Sequence, residues 1–165
     1  LLFDYYLSLK DFSNASEIAK KIPNEFSQNR QLYTYKPISK NMAFGILNYK
    51  LGEINKSNSY LKLEINNLNE QLDENPGNYE LHRRLGLAYA YLNDKKSALY
   101  ELKLAASMMS VEVDALYGPF YLFSLAEVYY LFGNKLESKK ILDNLNNLNA
   151  GILSYDFKKS WRWKN

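Results

Sequence analysis

The stretch Leu85-Gly86-Leu87-Ala88-Tyr89-Ala90-Tyr91-Leu92-Asn93, followed by Ala98 and Leu102, decides the fold. A large apolar residue, a small one and an aromatic stand at i, i+1 and i+4, so one face of a helix carries a large side chain beside a notch. Twelve residues after the notch comes another small residue, Ala98, with Leu102 four later. Two small residues facing each other let antiparallel helices approach closely, and the large residues beside them fill the gaps between neighbouring hairpins. Asn93-Asp94 falls between the two halves, where residues that tolerate left-handed geometry end a helix.

The same pattern recurs without gaps on either side. Phe44-Gly45-Ile46-Leu47-Asn48-Tyr49-Lys50-Leu51-Gly52 is followed by Ser57 and Leu61, and Leu125-Ala126-Glu127-Val128-Tyr129-Tyr130-Leu131-Phe132-Gly133 by Ser138 and Leu142. A truncated copy opens the chain with Tyr6, Asp11-Phe12, Ala15 and Ala19. Matching positions lie 42 residues apart (Tyr6 to Asn48), then 41 (Gly45 to Gly86), then 40 (Gly86 to Ala126). A period near 40 in two-helix units signals a solenoid.

On these residues the chain resembles the tetratricopeptide repeat (TPR) family over nearly its whole length. Leu85-Gly86-x-x-Tyr89 with Ala98, Leu102 and Ala105 is the best copy, and Leu125 to Leu145 is nearly as good. The copy at Phe44 departs from the family pattern, with Asn48 where an aromatic is usual and Glu64 where a small residue is usual. The usual repeat is 34 residues long, so each copy carries about six to eight more. The extra length falls in Glu64–Asn78 and in Ser110–Gly118. A last hairpin starting at Gly118-Pro119, closed by a segment with a late Trp, looks like the C-terminal repeats of bacterial multidomain signalling proteins, which append such arrays to cyclase, kinase or transcription-regulator domains. The resemblance implies an all-α superhelix of three to four antiparallel helix hairpins with a C-terminal capping segment. It divides a single domain, 1–165, into a partial repeat at 1–22, repeats at about 38–73, 79–108 and 119–148, and a cap at 150–165. Helices are expected at roughly 1–9, 13–22, 38–51, 55–73, 78–92, 95–108, 113–132 and 135–148. The longest connection, 23–37, runs between Pro23 and Pro37.

Composition narrows the function. In 165 residues there is no cysteine and one histidine, which excludes disulfides, thiolate catalysis, Cys-based zinc or iron–sulfur sites and multi-histidine metal sites. Net charge is −1 over residues 1–80 and +4 over 81–165, so the basic field of a nucleic-acid binder is absent apart from the tail. There is no run of 18 apolar residues that could span a bilayer, and Leu1–Leu9 reads as part of a helix rather than as a signal segment. These absences point to a cytoplasmic, microbial protein; a chain starting at Leu1 is expected to be part of something longer.

No residue set reads as catalytic. His82 falls at a helix position that packs between helices, and the acid nearest it in sequence, Glu80, lies on another face. The Glu70, Asp73, Glu74 cluster lacks the spacing and sharp Gly turn of a hard-metal loop. The seven glycines are scattered, so there is no phosphate cradle, and no cofactor is implied. Asn14-Ala15-Ser16 and Asn55-Lys56-Ser57 match the glycosylation tripeptide but place a small packing residue inside it.

The expected function is therefore a non-catalytic protein–protein interaction scaffold. First helices of stacked hairpins line a concave side. With Gly45, Gly86 and Ala126 fixing the packing face, the residues left pointing inward are Met42, Ile46, Tyr49 and Lys50, then Arg83, Leu87 and Tyr91, then Phe120, Phe123, Glu127 and Tyr130. Aromatic anchors with two cations suit a peptide offering apolar side chains and a carboxylate to Arg83 or Lys50. Relatives that grip a C-terminal carboxylate use a Lys/Asn/Arg set across three first helices; Asp4, Phe120 and Ser124 break that pattern. Chaperone-tail binding is therefore not carried over. A cut first hairpin is also expected to leave an apolar face near Phe3, Tyr6 and Leu7, open to self-association.

The alternative reading is a regulatory or accessory segment of a larger bacterial signalling or transcription-regulating protein, touching nucleic acid through Lys158-Lys159-Ser160-Trp161-Arg162-Trp163-Lys164. Charges interleaved with rings suit single-stranded nucleic acid or an anionic surface. Ile152, Leu153, Phe157 and Trp161 equally suit a cap over the last hairpin, with the lysines outward. The cap reading predicts that fluorescence titration with single-stranded DNA or anionic vesicles shows no salt-sensitive, micromolar binding. Such binding, lost on neutralising Lys158, Lys159, Arg162 and Lys164, would decide for the alternative.

Overall fold

Residues 2–23 and 38–148 are described by the structure, a computed structural model. Among the described residues every regular element is a helix: α1 (Leu2–Ser8), α2 (Phe12–Lys21), α3 (Lys40–Lys50), α4 (Ile54–Glu74), α5 (Tyr79–Tyr91), α6 (Lys95–Met108), α7 (Gly118–Leu131) and α8 (Lys135–Asn147). The described chain is all-α. The connection expected beyond Pro23 and the cap expected at 150–165 lie outside the described residues. The chain divides into two compact units, residues 1–66 and 67–165, with the division inside α4.

One turn geometry joins α1 to α2, α3 to α4, α5 to α6 and α7 to α8. Its left-handed residue is Lys10 (φ 57°), Gly52 (φ 77°), Asn93 (φ 63°) or Gly133 (φ 75°), at successive spacings of 42, 41 and 40 residues. The next N–H reaches back five residues: Asp11 to Tyr6 O at 2.9 Å, Glu53 to Asn48 O at 2.9 Å, Asp94 to Tyr89 O at 3.0 Å, and Asn134 to Tyr129 O at 2.9 Å. The left-handed residue donates three back, as Gly52 does to Tyr49 O at 3.1 Å and Asn93 to Ala90 O at 3.0 Å. This is the Schellman arrangement, which satisfies carbonyls that a helix end would otherwise leave without donors. Lys10 was not legible as a turn residue, because its Cβ costs about 1–2 kcal/mol in that conformation. Asp11, Asp94 and Asn134 then cap the following helix, accepting from the N–H of Asn14, Ser97 and Glu137 at 3.1, 3.1 and 3.3 Å. One residue thus closes one helix and opens the next. Glu53, at the same place, pairs instead with Lys56 at 3.2 Å.

In unit 1, Ala15 and Ala19 of α2 are fully buried, as are Ser57 and Leu61 of α4. A Cβ on Gly45 would stand 2.6 Å from Leu61 Cδ2, so the helix approach there needs a glycine. Ser57 Oγ donates to Gly45 O at 2.8 Å across the same contact. Glu64, the misfit of this copy, is buried; its carboxylate accepts from Ser39 Oγ, which also caps α3 by accepting from Met42 N. Asn48, the other misfit, donates through Nδ2 to Phe44 O at 2.7 Å. On α1, Phe3 and Leu7 are buried, and the exposed apolar groups are Leu2, Tyr5 and, just beyond its end, Leu9. The expected face at Phe3, Tyr6 and Leu7 is therefore largely covered.

In unit 2, His82 of α5 meets Glu101 late in α6 while Gly86 meets Ala98 nearer its start, so the two helices run antiparallel. A Cβ on Gly86 would lie 2.6 Å from Leu102 Cγ, 3.0 Å from Ala98 O and 3.1 Å from Leu102 N. Leu102 and Ala98 then join Ala90 of α5 and Leu125 and Val128 of α7 in one core, with Ile141 of α8 packed against it. In α7–α8 the notch is Ala126, whose methyl stands where Gly45 has none. Ser138, the counterpart of Ser57, is buried and its Oγ has no hydrogen-bond partner.

The seventh helix begins at Gly118, where the repeat pattern starts its last hairpin and five residues after the 113 of the helix reading. Asp114 opens the turn that leads into it: its Oδ1 accepts from Leu116 N at 2.8 Å and Tyr117 N at 2.9 Å, as an N-cap does, and its carbonyl accepts from Gly118 N at 2.8 Å. The turn folds so tightly that a Cβ on Gly118 would be 2.6 Å from the Ser110 carbonyl.

Gly86→Ala should therefore lower stability by about 1–3 kcal/mol, because α6 backbone must move. Gly45→Ala should cost less, since only the Leu61 side chain is in the way. Urea unfolding of the two variants checks this ranking.

Candidate functional site

The residues expected to line a groove occupy unlike environments. In unit 1, Met42 and Ile46 of α3 are buried, Tyr49 is half-buried and Lys50 is exposed. In unit 2, Leu87 is half-buried against the core of Ala90, Leu102, Leu125 and Val128. Phe120 and Phe123 are half-buried against Leu145, with Leu142 and Leu148 beside them. These three side chains therefore hold helices together. Tyr91 and Tyr130 are half-buried, and Lys135 Nζ lies 5.8 Å above the Tyr130 ring. Arg83 and Glu127 are buried.

Arg83 is engaged on every side of its guanidinium. Its Nε donates to Glu80 Oε2 at 3.0 Å and one terminal nitrogen to Oε1 at 2.7 Å, a two-pronged pair one helical turn apart. The other terminal nitrogen reaches Ser124 Oγ on α7 at 3.4 Å, and that hydroxyl donates to Phe120 O at 3.0 Å. Tyr121 OH donates to Glu80 Oε2 at 3.2 Å, and the Tyr79 ring meets the Tyr121 ring edge-on at 5.4 Å. Burial pushes the Tyr121 phenol far above its ordinary value of 10.0; the Glu80 carboxylate pushes the same way and Arg83 opposes it. The cluster ties α5 to α7. Its i, i+3 half was readable in the sequence, whereas Ser124 and Tyr121, 41 residues from their partners, were not.

His82 is used up in the same way. Nε2 lies 3.0 Å from Pro76 O and Nδ1 lies 2.6 Å from Glu101 Oε2. A backbone carbonyl can only accept, so Nε2 carries a proton. The second contact needs another, on Nδ1 or on Glu101. Neither ring nitrogen is left for a substrate, and the ring pins the turn before α5 to α6. The sequence offered Glu80 as the nearest acid; the acid in contact is 19 residues away on the next helix. Glu70, Asp73 and Glu74 sit at the exposed or half-exposed end of α4, and among the described residues no three metal-ligating side chains converge. Among them, too, no helix is long and apolar enough to cross a membrane.

No family model, no curated protein and no solved structure matches the chain.

The buried phenol gives a pH dependence. An unfolded tyrosine ionises near pH 10 whereas Tyr121 in the fold does not. Its contribution to stability is thus fully present below about pH 10 and declines above it, by at most about 1.4 kcal/mol per pH unit. Urea midpoints of parent and Tyr121→Phe measured from about pH 9 to 11 should converge as the pH rises.

Proposed function

We propose that this chain is a TPR-type array of helix hairpins acting as a non-catalytic scaffold, which holds an extended or helical segment of a partner protein against its first helices. The observation that carries the reading is the fourfold recurrence of one helix–turn–helix unit, with its left-handed residues 42, 41 and 40 apart. Arrays of such units present side chains of successive first helices along one surface. The engagement of both His82 nitrogens supports a non-catalytic role, because the chain's single histidine has no nitrogen left for proton transfer. Aromatic rings partly open to solvent on α5 and α7, Tyr91 and Tyr130, supply rigid anchors of the kind that dominate binding energies.

Phe123 props α8, so its truncation would mix folding with binding. Tyr91→Ala and Tyr130→Ala separate the two. Peptides selected from a random display library on the parent protein should lose about 1–3 kcal/mol of affinity for each variant, with unchanged far-ultraviolet circular dichroism. Selected peptides that bind both variants as well as the parent would remove these two helices from the binding surface.

A further inference from the structure

We infer that Glu80 is an intrachain ligand for Arg83, occupying the guanidinium that α5 would otherwise offer to a partner's carboxylate. On the groove reading above, on which this rests, the section between α5 and α7 then takes apolar and aromatic side chains of uncharged segments and rejects acidic or free-carboxylate ones. Three observations carry the inference. The Glu80–Arg83 contact is two-pronged at 3.0 and 2.7 Å, and its third arm is spent on Ser124. The Arg83 side chain is 11% exposed and that of Glu80 27%, so the carboxylate stands on the more open side of the pair. Tyr121 OH donates to Glu80 and fixes it there, with Tyr79 edge-on behind the ring.

The competition is unequal. Glu80 is held one turn from Arg83 on the same helix, so its effective concentration exceeds anything a diffusing carboxylate reaches. A visiting carboxylate would have to break both prongs, strip Tyr121 of its acceptor and sit beside the displaced Glu80 charge. Glu127, buried on the neighbouring α7, adds a second acidic side chain to the same pair of helices. A cation that sequence reasoning offers to a partner's carboxylate is thus neutralised from within.

The test is a titration of the 15N-labelled protein with benzoate, following the Arg83 Nε–H resonance. In the parent that signal should not move at millimolar benzoate. In Glu80→Ala, and in the volume-conserving Glu80→Gln, it should move, with affinity at least about tenfold above the parent's. A parent signal that moves with the same affinity as the variants overturns the inference. So does silence in folded variants, since something other than Glu80 would then be closing Arg83. If neither variant folds, the parent titration decides alone: movement refutes, silence supports. The display selection keeps the two readings apart. Binders that need a free carboxylate and are lost in Arg83→Gln would sink this inference while leaving the groove. The absence of any Tyr91- or Tyr130-dependent binder would sink the groove, whatever benzoate does.

Discussion

Two helices can close only as far as their largest facing atoms allow, and in α5–α6 the limiting atom on one side is a hydrogen of Gly86. A methyl there would meet Leu102 at 2.6 Å and α6 backbone at 3.0 Å. Because the approach is that close, Leu102 seats in the notch and emerges as part of the core that α7 covers with Leu125 and Val128. The turn has to agree with this spacing. Asn93 in the left-handed region folds the chain back at once, so that Ala98 arrives opposite Gly86. A different turn length would rotate Ala98 off the contact face and put a bulkier side chain into it.

The same constraint decides which polar groups survive inside. Where the notch is glycine, as at Gly45, a carbonyl is near enough for Ser57 to donate to it. Where the notch is Ala126, Ser138 is buried without a partner, a local loss that a buried hydroxyl carries at about 1–3 kcal/mol. Glu64, buried, and Glu80, half-buried in the first turn of α5, show the opposite solution: each is met by hydroxyl or guanidinium donors from a different turn or helix. Polar groups are tolerated at these packed sites because they are bonded, and those bonds fix which turn or helix faces which.

Function is constrained by the same accounting. His82 and Arg83 are the two side chains of α5 with the most chemistry to offer, and both are spent on holding turns and helices in place. Among the aromatic side chains of unit 2, Tyr79, Tyr91, Tyr117 and Tyr130 are partly open to solvent. Rings of this kind give contact area at little loss of side-chain freedom, which suits holding more than reacting.

The sequence by itself determined the helices, their pairing into hairpins and the position of the four turns within them. Helices and turns depend on contacts three to five residues apart and the hairpin pairing on contacts twelve to sixteen apart, and a pattern such as Leu85-Gly86-x-x-Tyr89 with Ala98 and Leu102 writes both out. The sequence placed a turn between 9 and 13 but did not mark Lys10, a residue with no turn preference, as its left-handed residue. It gave two starts for α7, the helix reading 113 and the repeat pattern Gly118-Pro119, and the helix begins at the second. Only the tertiary structure decided the fate of the charged and titratable groups. Helical periodicity sets Glu80 one turn before Arg83 and so makes that half of the pair readable, but it says nothing of what stands across from them on another helix. Ser124 and Tyr121 lie 41 residues away from their partners, and Glu101 lies 19 from His82. Those distances close only when helices pack, and packing is set by the volumes of side chains that no single stretch of sequence contains.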